Sequence, residues 1–154
     1  MKKVVLSMLI ALVSTTAFAQ QFEYKIVTVI ESIVPMGIGR SRIIENKQEV
    51  NIEDLTTART DGRTSRQREV RRSDAKVQEF EETALLNFYS GVGINFQNVA
   101  SNDAIITSKI MDLVFQGWDL AFAFSGVESD CGEGDGKGIY ITRLIFKREM
   151  ERAE

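Results

Sequence analysis

Three runs of this chain read as strands, two of them alternating in side-chain character with period two, and one long segment repeats at helical spacing. That combination restricts the fold to a sheet packed on a single main helix. Residues 22–34 are rich in β-branched side chains. They place Phe22, Tyr24, Ile26 and Ile30 on one face and Glu23, Lys25, Val27 and Val29 on the other, because successive side chains of an extended chain point to opposite sides. Residues 118–124 set Trp118, Leu120, Phe122 and Phe124 against Asp119, Ala121 and Ala123, which predicts the central hydrophobic strand with one face on a core. Residues 139–147 carry large apolar groups on both phases, Ile139, Ile141 and Ile145 against Tyr140, Leu144 and Phe146, as in a strand covered on both faces. The last two runs are expected to form a hairpin around the glycine-rich loop 125–138.

The helical segment begins at Ser101 or Asn102, either of which can cap, with Asp103 favourable in the first turn. Its inward stripe is Ile105, Ile106, Ile110, Leu113 and Val114, at the three- and four-residue spacing of one helix face. Gly117 stops it in the left-handed conformation that glycine tolerates. Pro35 with Gly37 and Gly39 turns the chain after the first strand, and a shorter extended piece follows around 42–44. Residues 45–79 hold few large apolar side chains and many charges, and read as a long excursion or flap. Order returns at Phe80, where the spacing of Phe80, Leu85, Leu86, Phe88, Tyr89, Val92, Ile94 and Phe96 suits a short helix followed by a loop or strand. The expected class is α+β: a small antiparallel sheet of three to four strands packed on one main helix, with a long charged insertion.

The N-terminus reads as an address. Lys2 and Lys3 precede an apolar run over 4–13, and Ala17-Phe18-Ala19 supplies small residues where a signal peptidase reads. Residues 1–19 are therefore expected to be a cleaved export signal, and the protein periplasmic or secreted. The apolar run is short of the roughly 20 residues a spanning helix needs, so the protein is not expected to span a membrane. Residues 20–148 form one domain that includes the excursion, and 149–154 a charged, frayed tail. Cys131, the single cysteine, cannot close an internal disulfide and reads as a free thiol in a loop, with an intermolecular bridge as the minority reading.

The chain has no histidine. Serine and cysteine hydrolases usually move the nucleophile's proton with an imidazole, and most zinc sites use histidine or several cysteines. No catalytic residue, metal ligand or cofactor is assigned, and the protein is not expected to be an enzyme; a carboxylate-dependent hydrolase is the only enzymatic alternative retained. The Gly37-Ile38-Gly39-Arg40 turn lacks the third glycine of a dinucleotide fingerprint and the lysine of a phosphate loop. Within 129–138, Gly132 and Gly134 stand where an EF-hand loop needs oxygen ligands, so the acids there read as a hairpin loop. The arginine run is the one candidate anion-binding feature: Arg63, Arg66, Arg68, Arg71 and Arg72, with Arg59 just before, among few acids. Guanidinium forks suit phosphate or carboxylate, while the blander reading is a solvated loop neutralised by Glu79, Glu81 and Glu82. Nucleic acid is not expected, since the net charge is −3 and no aromatics lie within the run for stacking.

Phe22-Glu23-Tyr24-Lys25-Ile26-Val27, Gly117-Trp118-Asp119-Leu120 and Arg143-Leu144-Ile145-Phe146-Lys147-Arg148 together resemble a family of small bacterial domains of unknown function. That family typically reads Tyr-Glu-Tyr-Lys-Val-Val, then Gly-Trp-Glu-Leu, then a closing strand ending Lys-Arg. Asp119 stands where glutamate is usual, and the long insertion resembles longer exported relatives. The resemblance implies a fold and no activity, as the family carries no assigned catalytic residues. The expected function is a non-enzymatic binding or interaction module of the cell envelope, its partner an unidentified envelope protein or a second copy of itself. The alternative is a polyanion or anionic-glycolipid binder making peripheral contact through the arginine run.

Overall fold

The computed structural model describes residues 21–32, 41–128 and 138–150. Residues 1–19, expected to be an export signal, the Pro35 turn, Cys131 with most of its loop, and residues 151–154 lie outside the described residues. The alternating runs form strands β1 (Phe22–Ser32) and, late in the chain, β6 (Asp119–Glu128) and β7 (Ile139–Glu149). Between them come β2 (Arg42–Asn46), β3 (Phe80–Ala84), a small hairpin of β4 (Tyr89–Ser90) and β5 (Gly93–Ile94), and one long helix, α1 (Phe96–Phe115). The main sheet is antiparallel throughout and has five strands, ordered β3-β2-β1-β7-β6. The α+β class and the packing of a sheet on one main helix hold; the strand number of three to four is corrected to five.

The extra strands come from the ends of the excursion. Phe80–Ala84, expected to open a helix, is extended and pairs with β2. Two hydrogen bonds close the neck: Lys47 N–H donates to the Glu79 carbonyl at 3.1 Å and Gln78 N–H to the side-chain Oε1 of Gln48 at 2.7 Å. Phe80–Ala84 loses its helical reading because the ladder to β2 satisfies its backbone first. The excursion itself contains two single-turn 3₁₀ segments, Ile52–Leu55 and Gln67–Glu69.

The strand expected to be central, β6, is an edge. The centre belongs to β1, which pairs with β7 over its whole length from Phe22↔Glu149 to Ser32↔Ile139. The β6–β7 hairpin pairing is present, but with a bulge: Leu120 pairs with Phe146 and Phe122 with Ile145. Ala121 is therefore an extra residue, and it reverses the phase of the strand. Leu120 faces the helix while Phe122 and Phe124 face the other side, so the unbroken stripe read from sequence is divided between two faces. Pairing continues into the segment read as tail, since Met150 N–H donates to the Gln21 carbonyl at 2.9 Å.

The helix starts earlier than expected. Asn95, not Ser101 or Asn102, is the cap: its side chain accepts from the N–H groups of Gln97 and Asn98. Asn102 has a different task. Buried inside the helix face, its Oδ1 accepts from Leu86 N–H at 2.8 Å, and its Nδ2 donates to the Leu86 carbonyl and to Glu31. One side chain thus closes both backbone groups of Leu86 and ties the 85–88 loop to α1. Asn102→Ala should cost about 2 kcal/mol in urea unfolding, because the loop's polar groups lose a partner that water replaces only in part. Gly117 ends the helix at φ +87° as expected, and Val114, read into the inward stripe, is exposed.

The core lies between α1 and one face of the sheet. It consists of Val27, Val29, Ile43, Leu85, Leu113, Trp118, Leu144 and Phe146, with Ile105, Ile106 and Ile110 packed against it. On β1 the covered phase is the one with Glu23 and Lys25, and the phase with Tyr24 and Ile26 is left open.

Candidate binding surfaces

The covered face carries a charged network at its edge. Glu45, on β2 and 1% exposed, meets three ammonium groups. Lys25 from β1 and Lys47 just after β2 reach Oε1 at 2.9 and 2.8 Å. Oε2 takes no hydrogen bond of good angle but faces Lys109 of α1 at 2.6 Å. Burial pushes the Glu45 carboxyl up; the bonds from Lys109, Lys47 and Lys25 outweigh it and hold the group at about 2. A carboxylate locked in the ionised form among cations cannot carry a proton at neutral pH, so this cluster is a brace between β1, β2 and α1. Glu81 on β3 shares two of the lysines, at 3.1 Å to Lys47 and 3.6 Å to Lys109.

Lys25 also lies 4.8 Å from the centroid of the Trp118 ring, and the Arg148 guanidinium 4.4 Å from it. Trp118 is buried, which matches its reading as core. Arg148 in turn donates from Nε to Glu23 at 2.6 Å and from Nη1 to the Gln116 carbonyl at 3.0 Å, holding the end of α1 onto β7. Glu23, Gln116, Gly117, Asp119, Arg148 and Glu149 border a cleft of about 730 Å³ at this end of the sheet. Three of its groups are carboxylates, and Glu23 among them is engaged by Arg148. Among the described residues no cluster of three metal-ligating side chains occurs.

The five proposed anion-binding arginines all lie in the excursion and are exposed. The structure pairs Arg66 with Glu69, the Nε and Nη2 groups of the guanidinium donating to the carboxylate at 2.9 to 3.1 Å. Hydrogen bonding with Thr64 and with Arg63 N–H draws the Asp61 carboxyl down to about 2. Two of the three acids expected to neutralise the run are engaged elsewhere: Glu81 with Lys47 and Lys109, and Glu82 with Arg42 at 2.6 Å.

The surface that sequence reading missed is the open face of the sheet. Paired residues share a side, so the registers define cross-strand rows on it. One row runs Phe122–Ile145–Ile26–Asn46–Phe80; the next runs Phe124–Arg143–Thr28–Ile44–Glu82. Phe122 is 68% exposed, Tyr24 64%, Phe124 51% and Ile26 50%. Apolar faces of this extent are uncommon on single soluble domains and mark interaction surfaces. The alternation in 22–34 was the available signal, since it showed an apolar stripe on each phase. One helix can cover only one of them.

Among the described residues no helix is long and apolar enough to cross a membrane. Comparison with protein-family models, with curated proteins and with solved structures finds no match.

Proposed function

We propose that the protein is an exported, non-enzymatic binding module of the cell envelope, periplasmic or secreted, working through the open face of its sheet. The observation that carries this reading is the aromatic and aliphatic row set led by Tyr24, Ile26, Phe122 and Phe124, exposed although the chain has a well-packed core on the other side. Burying such side chains supplies roughly 25 cal/mol per Å² of apolar area, which is the usual driving force of protein association. The residues resembling the small bacterial family agree with this reading, because that resemblance implies a fold without catalytic residues. The test is affinity purification of the protein from its own envelope at low and high salt. A specific protein should be recovered at both salts and lost on Phe124→Lys; recovery of nothing at either salt counts against the reading.

A second reading is favoured by one observation. Arg63, Arg68, Arg71 and Arg72 stand exposed while Glu81 and Glu82 are committed to other cations. That leaves a basic surface able to take anionic glycolipid or another polyanion. Basic groups near an anionic bilayer contribute about 1 kcal/mol each. Vesicles rich in anionic lipid should therefore bind at low salt, release at high salt, and lose about a hundredfold in affinity when Arg68, Arg71 and Arg72 become alanine. A flat low-salt titration ends this reading.

A further inference from the structure

We propose that the excursion is a processing site: an arginine-directed endopeptidase cuts it after one or more of Arg63, Arg66, Arg68, Arg71 and Arg72, and the two pieces stay together as one folded molecule. The site is separate from the open sheet face and does not depend on what that face binds.

Access comes first. None of residues 48–79 is buried, and none belongs to the core. The hydrogen bonds formed within 50–77 join residues no more than four apart, except that Gln67 Nε2 donates to Thr57 Oγ1 at 2.7 Å. A peptidase acts on the locally opened form of its substrate. Opening this segment exposes no core side chain and breaks only short-range bonds, which places it at the low end of local stability, where nicking concentrates.

The side chains fit the enzyme class. Among the described residues Arg63, Arg68, Arg71 and Arg72 have no ion-pair partner. Arg66 is held by Glu69 alone, in an exposed pair worth little. Free guanidinium groups suit a peptidase pocket with a carboxylate at its base. Outside the excursion, Lys25, Arg42, Arg143, Lys147 and Arg148 lie in paired strands and Lys109 within α1, so the bonds that follow them are locked in secondary structure. The cut itself is hydrolysis. The C–N bond after the arginine breaks, water supplies the hydroxyl of the new carboxyl group and a proton to the leaving nitrogen, and no redox partner is needed.

The topology then keeps the pieces together. Cutting leaves β1 and β2 on one piece and β3 to β7 with α1 on the other. In the order β3-β2-β1-β7-β6 the two strands of the first piece lie between strands of the second. The ladders from Phe22↔Glu149 to Ser32↔Ile139 and from Arg42↔Ala84 to Asn46↔Phe80 both join one piece to the other. So do the ion pairs Lys109–Glu45, Arg148–Glu23 and Arg42–Glu82. The core takes Val27, Val29 and Ile43 from the first piece and Trp118, Leu144 and Phe146 from the second. Separation would therefore require dismantling the sheet and the core together.

Two measurements test this. The purified protein, treated with a trace of an arginine-specific endopeptidase, should give two fragments that meet within 63–72, elute together and keep the circular dichroism of the intact chain. The variant with glutamine at Arg59, Arg63, Arg66, Arg68, Arg71 and Arg72 should stay uncut within the excursion over the time that fully cuts the wild type. The protein carrying a C-terminal tag, recovered from the cells that make it and from their medium, should show by mass spectrometry a new N-terminus directly after one of the five arginines, with the first piece still bound. Recovery of intact chain alone overturns the inference. So does a purified protein that resists the enzyme within 63–72, or fragments that separate or lose their fold once cut.

Discussion

Glu45→Ala should lower the stability of the protein by about 4 kcal/mol at neutral pH, the usual cost of removing one member of a buried ion pair. The loss has little to do with the volume removed. Lys25 and Lys109 are half-buried or more and converge with Lys47 on this one carboxylate. Without it, the three ammonium groups crowd together with only the exposed Glu81 carboxylate facing two of them. Glu45→Gln keeps the shape and loses the charge, and should recover only a small part of the stability. The same brace fixes an acid limit. The Glu45 carboxyl is held at about 2 in the folded protein against an ordinary 4.5, so the unfolded chain binds its proton first as pH falls. Its contribution is complete above pH 4.5 and is lost as pH drops through 2; at 1.36 kcal/mol per unit of pKa difference it amounts to about 3 kcal/mol. Urea midpoints measured between neutral pH and pH 2 should fall steeply for the wild type, and more gently for Glu45→Gln. Equal slopes for the two would show that Glu45 is not the group responsible.

The Glu45 brace also explains which side of the sheet was covered, something the sequence left open. Residues 22–34 offered α1 two phases, and the one containing Tyr24, Ile26 and Ile30 is the more apolar. The helix instead covers the phase of Glu23, Lys25, Val27 and Val29. Lys109 on α1 can be buried only against a carboxylate, and Glu45 lies on that phase, opposite Val27 in the register. A single alternating run shows that two faces exist but not the long-range charge that selects between them. The same limit applies to β6. Its period was legible, yet the bulge at Ala121 depends on register with β7, and that register is set by the pairing of β7 with β1. Local signals with a local cause were read directly: Gly117 stops the helix because its own φ is positive. Asn102 misled because it is a good cap by type, and only the fold shows that its amide is committed to Leu86 and Glu31. The arginines were legible as a charged run. Their surroundings were not: Glu69 pairs with Arg66 within the run, while Glu81 and Glu82, expected to neutralise it, lie on β3 and face Lys47, Lys109 and Arg42.

Phe146→Ala should be the most damaging of the apolar truncations, at about 4 kcal/mol. Phe146 is 0% exposed and sits on β7 in a single cross-strand row between Lys25 of β1 and Leu120 of β6. Its ring belongs to the same cluster as Trp118, Leu113 and Leu144. Truncation would open a cavity bounded by strands that pair on both sides, where the backbone cannot collapse inward to fill it. Against a total stability of about 5–15 kcal/mol for a domain of this kind, such a loss leaves a marginal fold. Phe146→Leu, which keeps most of the volume, should cost about 1 kcal/mol. Phe122 is the control, since it is also a phenylalanine, one strand away and on the open face. Phe122→Ala should change the unfolding free energy by less than about 1 kcal/mol in dilute solution. Equal losses for the two phenylalanines in dilute solution would show that the open face is covered within one chain, and would remove the physical basis for treating it as a surface left for a partner.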